Sequence, residues 1–367
     1  VRTTFVVDRW DASRGGQEGY LSALAGDLAR RGVDVRVLCR GGAETRPGIV
    51  VETLVSPGGG AGGERRFSAE VARRIEGVEG AVLAPRLVPF ATHVQLHGGL
   101  FADALEAERE SMEGPRRAFF RLGTALNGRR RHLLQTERQV LAGPFPRVMV
   151  WSDALSRRLQ ELGVPEPAIR VAPPGVDLAR FSPEEVPPAG DRDAEFLFLA
   201  RNPRLKGLRA ALEALAVVRR RSLPARLAVV GREAESPWRG RAARLGVARA
   251  VTFAGQLAPP DGARRLRGAT ALLHPTFFDP CSLACLEAAA CGVPVITTGR
   301  NGAVERLGEA GAAIVVEDPM DVEGLSRAME EVAEPRRRAA LRRGALGLRP
   351  SLDARRHLDD VVDWLGG

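Results

Sequence analysis

A short apolar run near the start of this chain, Thr4-Phe-Val-Val-Asp8, gives way to a loop carrying Gly15 and Gly16. A helical pattern from Glu18 to Arg31 follows, and then a second run, Val33-Asp-Val-Arg-Val-Leu-Cys39. That order of strand, loop, helix and strand constrains the fold more than anything else in the sequence, because such units build a parallel sheet with helices on its faces. A second set of strands opens at Glu195-Phe-Leu-Phe-Leu-Ala200, followed by a helix from Leu208 to Arg220 and strands at Arg226–Gly231, Val251–Gly255 and Ala271–His274. The expected fold class is therefore α/β with two doubly wound sheets. At 367 residues the chain exceeds what one core usually holds, in keeping with two domains. Sheets of this kind take ligands at the carboxyl ends of their strands, so the Gly15-Gly16 loop is expected beside a ligand, where glycine lets the backbone approach a phosphate or sugar.

Composition narrows the function classes. Hydrophobic residues make up 44% of the chain, which reads as globular rather than disordered. No run of about twenty apolar residues occurs, so no membrane-spanning helix is expected. The chain opens into a strand rather than a charged-then-apolar leader pattern and reads as cytosolic. Cys39, Cys281, Cys285 and Cys291 lack paired metal-ligand spacing and read as small buried packing residues. The net charge of +9 predicts attraction to an anionic partner: a phosphorylated substrate, an acidic membrane surface or nucleic acid. Lys206 is the only lysine, an arginine bias that reads as genomic composition.

The chemistry is concentrated in Asp279-Pro-Cys-Ser-Leu-Ala-Cys-Leu-Glu287-Ala-Ala-Ala-Cys-Gly-Val-Pro-Val-Ile-Thr-Thr, which runs into Asn301-Gly-Ala-Val-Glu305. Cys281 or Ser282 stands where a helix N-cap is expected, Leu283 follows, and Gly292 with Pro294 supplies a stop. Two carboxylates thus flank a helix start. A carboxylate suits vicinal hydroxyls, and free N–H groups at a helix start suit phosphate, so the segment reads as a site for a sugar joined to a phosphate. Arg201 and Lys206, five apart in a loop fed by a strand, can bracket a diphosphate. His97, in His97-Gly-Gly at a strand's carboxyl end, can reach a sugar hydroxyl with an imidazole of near-neutral pKa.

The acidic residue, seven residues, then Glu in a Leu-Glu-Ala-x-Ala-x-Gly-x-Pro-Val context resembles the nucleotide-sugar signature of retaining GT-B glycosyltransferases of family four. Three further stretches resemble that family: the first glycine-rich loop at Gly15-Gly16, the Pro174-Gly-Val-Asp177 pattern with Phe181, and Arg201-x4-Lys206-Gly, where Ala200 replaces the family's usual glycine. The resemblance implies two Rossmann-like domains facing a central cleft. It implies an acceptor-binding domain over 1–185, a nucleotide-sugar domain over 186–350, and a C-terminal helix over 351–367 that crosses back. It also implies that Glu287 binds the ribose hydroxyls, that Asp279 and His97 contact the transferred sugar, and that Arg201 and Lys206 neutralise the leaving diphosphate without a metal or other cofactor. Cys281, Ser282 and Leu283 would lie along the donor. The family usually has Glu where this chain has Asp279, one methylene shorter, which changes its reach or the sugar it prefers.

The stretch from Arg116 to Arg131, with Phe119-Phe120 among arginines, reads as a segment for an anionic membrane surface, or equally as a helical pair packed internally with a solvated arginine face. It is similar to the corresponding stretch of the lipopolysaccharide-core glucosyltransferases. That likeness favours UDP-glucose as donor, a lipopolysaccharide-core or other cell-envelope glycan or glycolipid as acceptor, and a place on the cytoplasmic face of the inner membrane, with no nucleic-acid partner. GDP-mannose is the alternative donor. Three other classes stay open on the residues alone: a glycoside hydrolase using Asp279 and Glu287, a GT-B-like sugar epimerase that needs no acceptor, and a non-enzymatic protein that binds anions or membranes.

Overall fold

The computed structural model describes residues 2–12, 17–42, 46–54, 60–183, 193–231 and 235–366; Gly15 and Gly16 lie outside these residues. The chain divides into two compact units, one comprising Val1–Arg109, Glu113–Pro173 and His357–Gly367, the other Glu110–Met112 and Pro174–Arg356.

The first unit runs β1 (Arg2–Val7), α1 (Gln17–Arg30), β2 (Asp34–Cys39), β3 (Ile49–Thr53), α2 (Gly60–Ile75), β4 (Ala81–Ala84), β5 (His93–Gln95), α3 (Phe101–Glu110), α4 (Pro115–Leu126), α5 (Gly128–Leu141), β6 (Arg147–Val150), α6 (Asp153–Glu161) and β7 (Ile169–Val171). Its seven strands are parallel in the order β3-β2-β1-β4-β5-β6-β7. Phe5, Val6 and Val7 are all buried, as a strand covered on both faces requires. The order reverses between β1 and β4, and a crevice opens at such a switch point beyond the strands' carboxyl ends. β3 falls inside the glycine- and proline-rich stretch 41–63, where the sequence pattern suggests only loop.

The second unit runs β8 (Ala194–Leu199), α7 (Leu208–Arg220), β9 (Ala225–Val230), α8 (Ser236–Arg244), β10 (Val251–Phe253), α9 (Pro259–Arg267), β11 (Ala271–His274), α10 (Leu283–Ala290), β12 (Val295–Thr298), α11 (Val304–Glu309), β13 (Ala313–Val316), α12 (Val322–Ala333) and α13 (Pro335–Leu348). Its strands are parallel in the order β10-β9-β8-β11-β12-β13, the same winding, with the reversal between β8 and β11. Phe196 and Phe198 of β8 pack with Leu208, Leu212 and Leu215 of α7 at the centre of its core.

The last helix, α14 (Ala354–Gly366), returns to the first unit. Its Leu358, Val361, Trp364 and Leu365 join Phe5, Leu28 and Val37 in one apolar cluster, and Trp364 meets the His93 ring edge-on at 4.8 Å. Asp359 and Asp360 pair with Arg31 at 2.7 Å and Arg170 at 3.2 Å, so both acids fasten this helix to the unit.

Candidate functional site

The switch point of the second unit is built from two loops, one after β8 and one after β11, tied together by backbone. Phe277 N–H donates to the Leu205 carbonyl at 2.9 Å, and the Thr276 hydroxyl donates to the same oxygen at 3.3 Å. Their approach depends on Gly207. Its φ is +83°, and a Cβ there would lie 2.0 Å from the Pro275 carbonyl oxygen. Between the loops, Lys206 Nζ donates to Asp279 Oδ2 at 2.6 Å and to the Phe278 carbonyl at 2.9 Å. His274 Nε2 lies 3.1 Å from the same Asp279 oxygen. An ammonium has three donors, so one on Lys206 remains beyond these two bonds. Burial alone would raise the Asp279 pKa, but the charge of Lys206 and the His274 contact hold it well below the ordinary carboxylate range. His274 is pushed the other way, down, by its own burial, against the pull of Asp279.

Asn301 joins this loop to α10. Asp279 N–H donates to the Arg300 carbonyl at 3.1 Å and Gly302 N–H to the Asp279 carbonyl at 2.9 Å. The Asn301 side-chain oxygen accepts from Ser282 N–H and Ala303 N–H, each at 3.1 Å, while its amide donates to Thr297 Oγ1 at 3.1 Å and Cys285 Sγ at 3.3 Å. Ser282 is the N-cap of α10, but its hydroxyl makes no capping bond. The Ser282 N–H, expected to face a donor phosphate, is thus bound internally. Leu283 and Ala284, the first two residues of the helix, have no acceptor for their N–H groups among the described residues. Cys281 is buried with its thiol pKa driven well up by burial, and all four cysteines are buried and free, packing residues as the spacing suggests.

Glu287, one turn further along α10, is partly buried, and its carboxylate has no hydrogen-bond partner among the described residues. Low-polarity surroundings push its pKa up to about 7, against the pull of Arg180. Arg201 is exposed at the start of the loop after β8. The structure therefore gathers Lys206, Asp279, Cys281, Ser282 and Leu283 in the second unit, with His274 and Asn301 added. His274 stands at a strand end, a signal that sequence reasoning leaves open. Asn301 sits in the quoted string, yet its role depends on a fold no local pattern reveals.

His97 lies in the first unit and is buried. It stacks on Trp151 at 4.5 Å, meets Tyr20 edge-on at 4.8 Å, and contacts Gln95 Oε1 through Nε2 at 3.0 Å. Gln95 Nε2 donates to Tyr20 Oη at 2.8 Å, which fixes Gln95 Oε1 as the acceptor and His97 Nε2 as the donor. Burial drives the His97 pKa down to about 3. The near-neutral imidazole expected from sequence is thus a neutral ring with Nδ1 as its acceptor. Among the described residues no three His, Cys, Asp or Glu side chains gather closely enough to hold a metal ion.

Two family profiles cover most of the chain: "Glycosyltransferase Family 4" over residues 14–180 and "Glycosyl transferases group 1" over residues 193–334. The chain belongs to the group 1, family 4 glycosyltransferases. Within that family it is similar to the D-inositol 3-phosphate glycosyltransferase of Acidothermus cellulolyticus, with 35% identity over 59% of this chain and 51% of that protein. It is also similar to the lipopolysaccharide glucosyltransferase WaaG of Escherichia coli, with 27% identity over 68% of each chain. The chain spans about half the length of the first curated relatives it matches. Among solved structures, WaaG superposes over 100% of both chains with a TM-score of 0.84 at 21% identity. Anabaena Alr3699/HepE, solved in complex with UDP-glucose, superposes over 99% of both with a TM-score of 0.73 at 16% identity. The fold is GT-B, with the two parallel sheets described above.

Proposed function

We propose that this family member moves a hexose, glucose from UDP-glucose, to a hydroxyl of a lipopolysaccharide-core or other cell-envelope glycan, with retention of anomeric configuration. The observation that carries the reading is the start of α10, where the open N–H groups of Leu283 and Ala284 stand in the same unit as the Lys206–Asp279 pair and the unpartnered Glu287 carboxylate. In this reading Glu287 accepts the ribose hydroxyls. The diphosphate takes the helix N–H groups, the third donor of Lys206 and Arg201. Asp279 meets the sugar. As the anomeric C–O bond to the diphosphate breaks, negative charge grows on the leaving oxygen, and these donors stabilise it. The acceptor oxygen forms the new bond on the same face, and its proton passes to the departing phosphate. The first unit takes the acceptor, and His97, a neutral ring, meets the transferred sugar as the family likeness implies. Glucose and the glycan acceptor are supported by the likeness to WaaG, and UDP by the HepE complex.

The same reading puts the enzyme on an anionic membrane surface through α4. Phe119, Leu122 and Leu126 are 66%, 57% and 75% exposed and recur at the spacing of one helix face, beside exposed Arg116, Arg117 and Arg121. Phe120 turns inward under the Arg130 guanidinium, 4.9 Å from its ring centre. Among the described residues no helix is long and apolar enough to cross a membrane.

The test is the thermal shift of wild type and Glu287→Ala with UDP-glucose, GDP-mannose, UDP-N-acetylglucosamine and UDP, since a ligand of the folded state raises its midpoint. The expected result is a shift with UDP-glucose that Glu287→Ala abolishes. A shift only with GDP-mannose replaces the donor, donor turnover without acceptor favours an epimerase, and no shift with any nucleotide sugar overturns the reading.

A further inference from the structure

A row of polar side chains crosses the interior of the first unit. It starts on α14 with His357, passes through Tyr20 of α1 and Gln95 of β5, and ends at His97, just beyond that strand. Tyr20 Oη and His357 Nε2 share a hydrogen bond. Gln95 Nε2 donates to Tyr20 Oη at 2.8 Å, and His97 Nε2 stands 3.0 Å from Gln95 Oε1. His357, Gln95 and His97 are all buried. Contacts with Tyr20 and Trp151 set the plane of the His97 ring. Which of its nitrogens carries the proton is left to the row.

Each link in the row holds one proton, so the choice made at one end is felt at the other. Met149 Sδ lies 3.2 Å from Gln95 Nε2. A thioether sulfur can only accept, which turns the amide N–H groups toward Met149 and Tyr20 and the amide oxygen toward His97. With Gln95 donating to it, the Tyr20 oxygen directs its own proton to His357 Nε2. Burial raises the phenol pKa well above its ordinary value, so that proton stays in place. His357 is thus the acceptor that orders the row. At the far end His97 Nε2 donates to Gln95 Oε1, which leaves the lone pair of Nδ1 open. That Nδ1 is buried and has no hydrogen-bond partner among the described residues. A dry acceptor of this kind costs stability until a donor meets it. Were His357 unable to accept, the phenol proton would turn to Gln95 and the amide would rotate against Met149. His97 would then carry its proton on Nδ1, a donor in place of an acceptor.

We infer that His357 is a positioning residue for glycosyl transfer: acting through Tyr20 and Gln95, it holds His97 as the Nε2–H tautomer and so keeps Nδ1 ready to accept from a hydroxyl of the transferred sugar. α14 thereby sets the hydrogen-bonding sense of a ring on the far side of the unit's core. That the hydroxyl belongs to the sugar rests on the proposed function; the linkage between His357 and His97 does not.

The experiment records long-range proton–nitrogen NMR spectra of the ligand-free full chain labelled with nitrogen-15 in histidine, where protonated and bare ring nitrogens are well separated. The chain has five histidines, and His97→Gln identifies the His97 signals. Wild type is expected to show His97 protonated at Nε2 and bare at Nδ1. His357→Leu keeps bulk without an acceptor and is expected to move His97 toward the Nδ1–H form. His357→Gln, whose amide oxygen can accept from Tyr20, is expected to restore part of the wild-type signature. Tyr20→Phe keeps the ring and cuts the row, and is expected to move His97 the same way with or without His357→Leu. On the substrate side, His357→Leu is expected to weaken UDP-glucose binding by roughly three- to tenfold, the worth of one neutral hydrogen bond, and to leave UDP binding unchanged. An Nδ1–H tautomer in wild type, or His97 signals that neither His357→Leu nor Tyr20→Phe moves, would overturn the linkage; a merely structural His357 would lower the thermal midpoint and leave those signals in place. Equal loss for UDP and UDP-glucose, or no loss for either, would overturn the positioning role. Absence of UDP-glucose binding by wild type would overturn the proposed function and the sugar contact with it, while the ligand-free spectra still decide the linkage.

Discussion

Glu287 is unusual among the acids of this chain in carrying a pKa near 7 while having no hydrogen-bond partner among the described residues. The raised folded value means that the protonated form is favoured on folding, so the associated stability is present below the unfolded value near 4.5 and is lost as pH rises through about 7. Glu287→Gln is therefore expected to unfold like wild type near pH 4 and to be more stable above pH 7, by on the order of 1 kcal/mol in urea titrations at both pH values. Donor binding should run the opposite way, because ribose hydroxyls donate best to the ionised carboxylate: wild-type affinity for UDP-glucose is expected to fall as pH drops below about 7. Equal slopes in wild type and Glu287→Gln would remove Glu287 from the site. Gly207 makes a second prediction of this kind. With φ at +83° and a Cβ that would meet the Pro275 oxygen at 2.0 Å, Gly207→Ala is expected to cost more than about 2 kcal/mol, read as a lower urea midpoint, with weakened donor binding as the two loops part. The acids at 279 and 287 were legible because they share one short string with a helix start. The Lys206–Asp279 pair was not, since its partners are 73 residues apart and only the switch point brings them together. The same limit hid the burial of His97 among Tyr20 and Trp151.

Among the elements, the long buried strands and the amphipathic helices declared themselves through period and composition, and both sheets were expected on that basis. β3 was the exception. Ile49-Val-Val-Glu-Thr53 is rich in β-branched residues, but it lies between glycine and proline clusters whose turn signals outweigh five residues of strand preference. Its Val50 is 62% exposed, as an edge strand with one uncovered face allows. α4 shows where the two sequence readings of Phe119-Phe120 part company, since one ring packs inward and the other faces solvent. Replacing Phe119 and Leu126 together by serine is expected to abolish sedimentation with vesicles rich in phosphatidylglycerol while leaving the thermal midpoint within about 1 °C, because exposed side chains contribute little to the core. Binding of wild type to neutral phosphatidylcholine vesicles as strong as to anionic ones would remove the arginines from the account.

For the whole molecule, the telling arrangement is that the first unit takes its core from both ends of the chain. Val361 and Trp364 of α14 are buried against Phe5 and its neighbours, and Asp359 and Asp360 pin the helix to Arg31 and Arg170. Trp364→Ala is expected to cost about 3–5 kcal/mol, with the loss confined to the unfolding transition of the first unit if calorimetry resolves two. A single change that lowers both transitions equally would show the units unfolding as one. This dependence was legible only through the family likeness, which implies a C-terminal helix over 351–367 that crosses back; no local pattern names the face it covers. It also sets an order on birth at the ribosome. The second unit, Pro174–Arg356, can close before the last helix has been made, whereas the first, though translated earlier, must wait for residues near 365. At the usual 5–20 residues per second that interval is on the order of 10–40 s. Throughout it the nascent apolar face of β1 and α1 stays uncovered where α14 will lie, so of the two units the one whose synthesis starts first is the one that closes last.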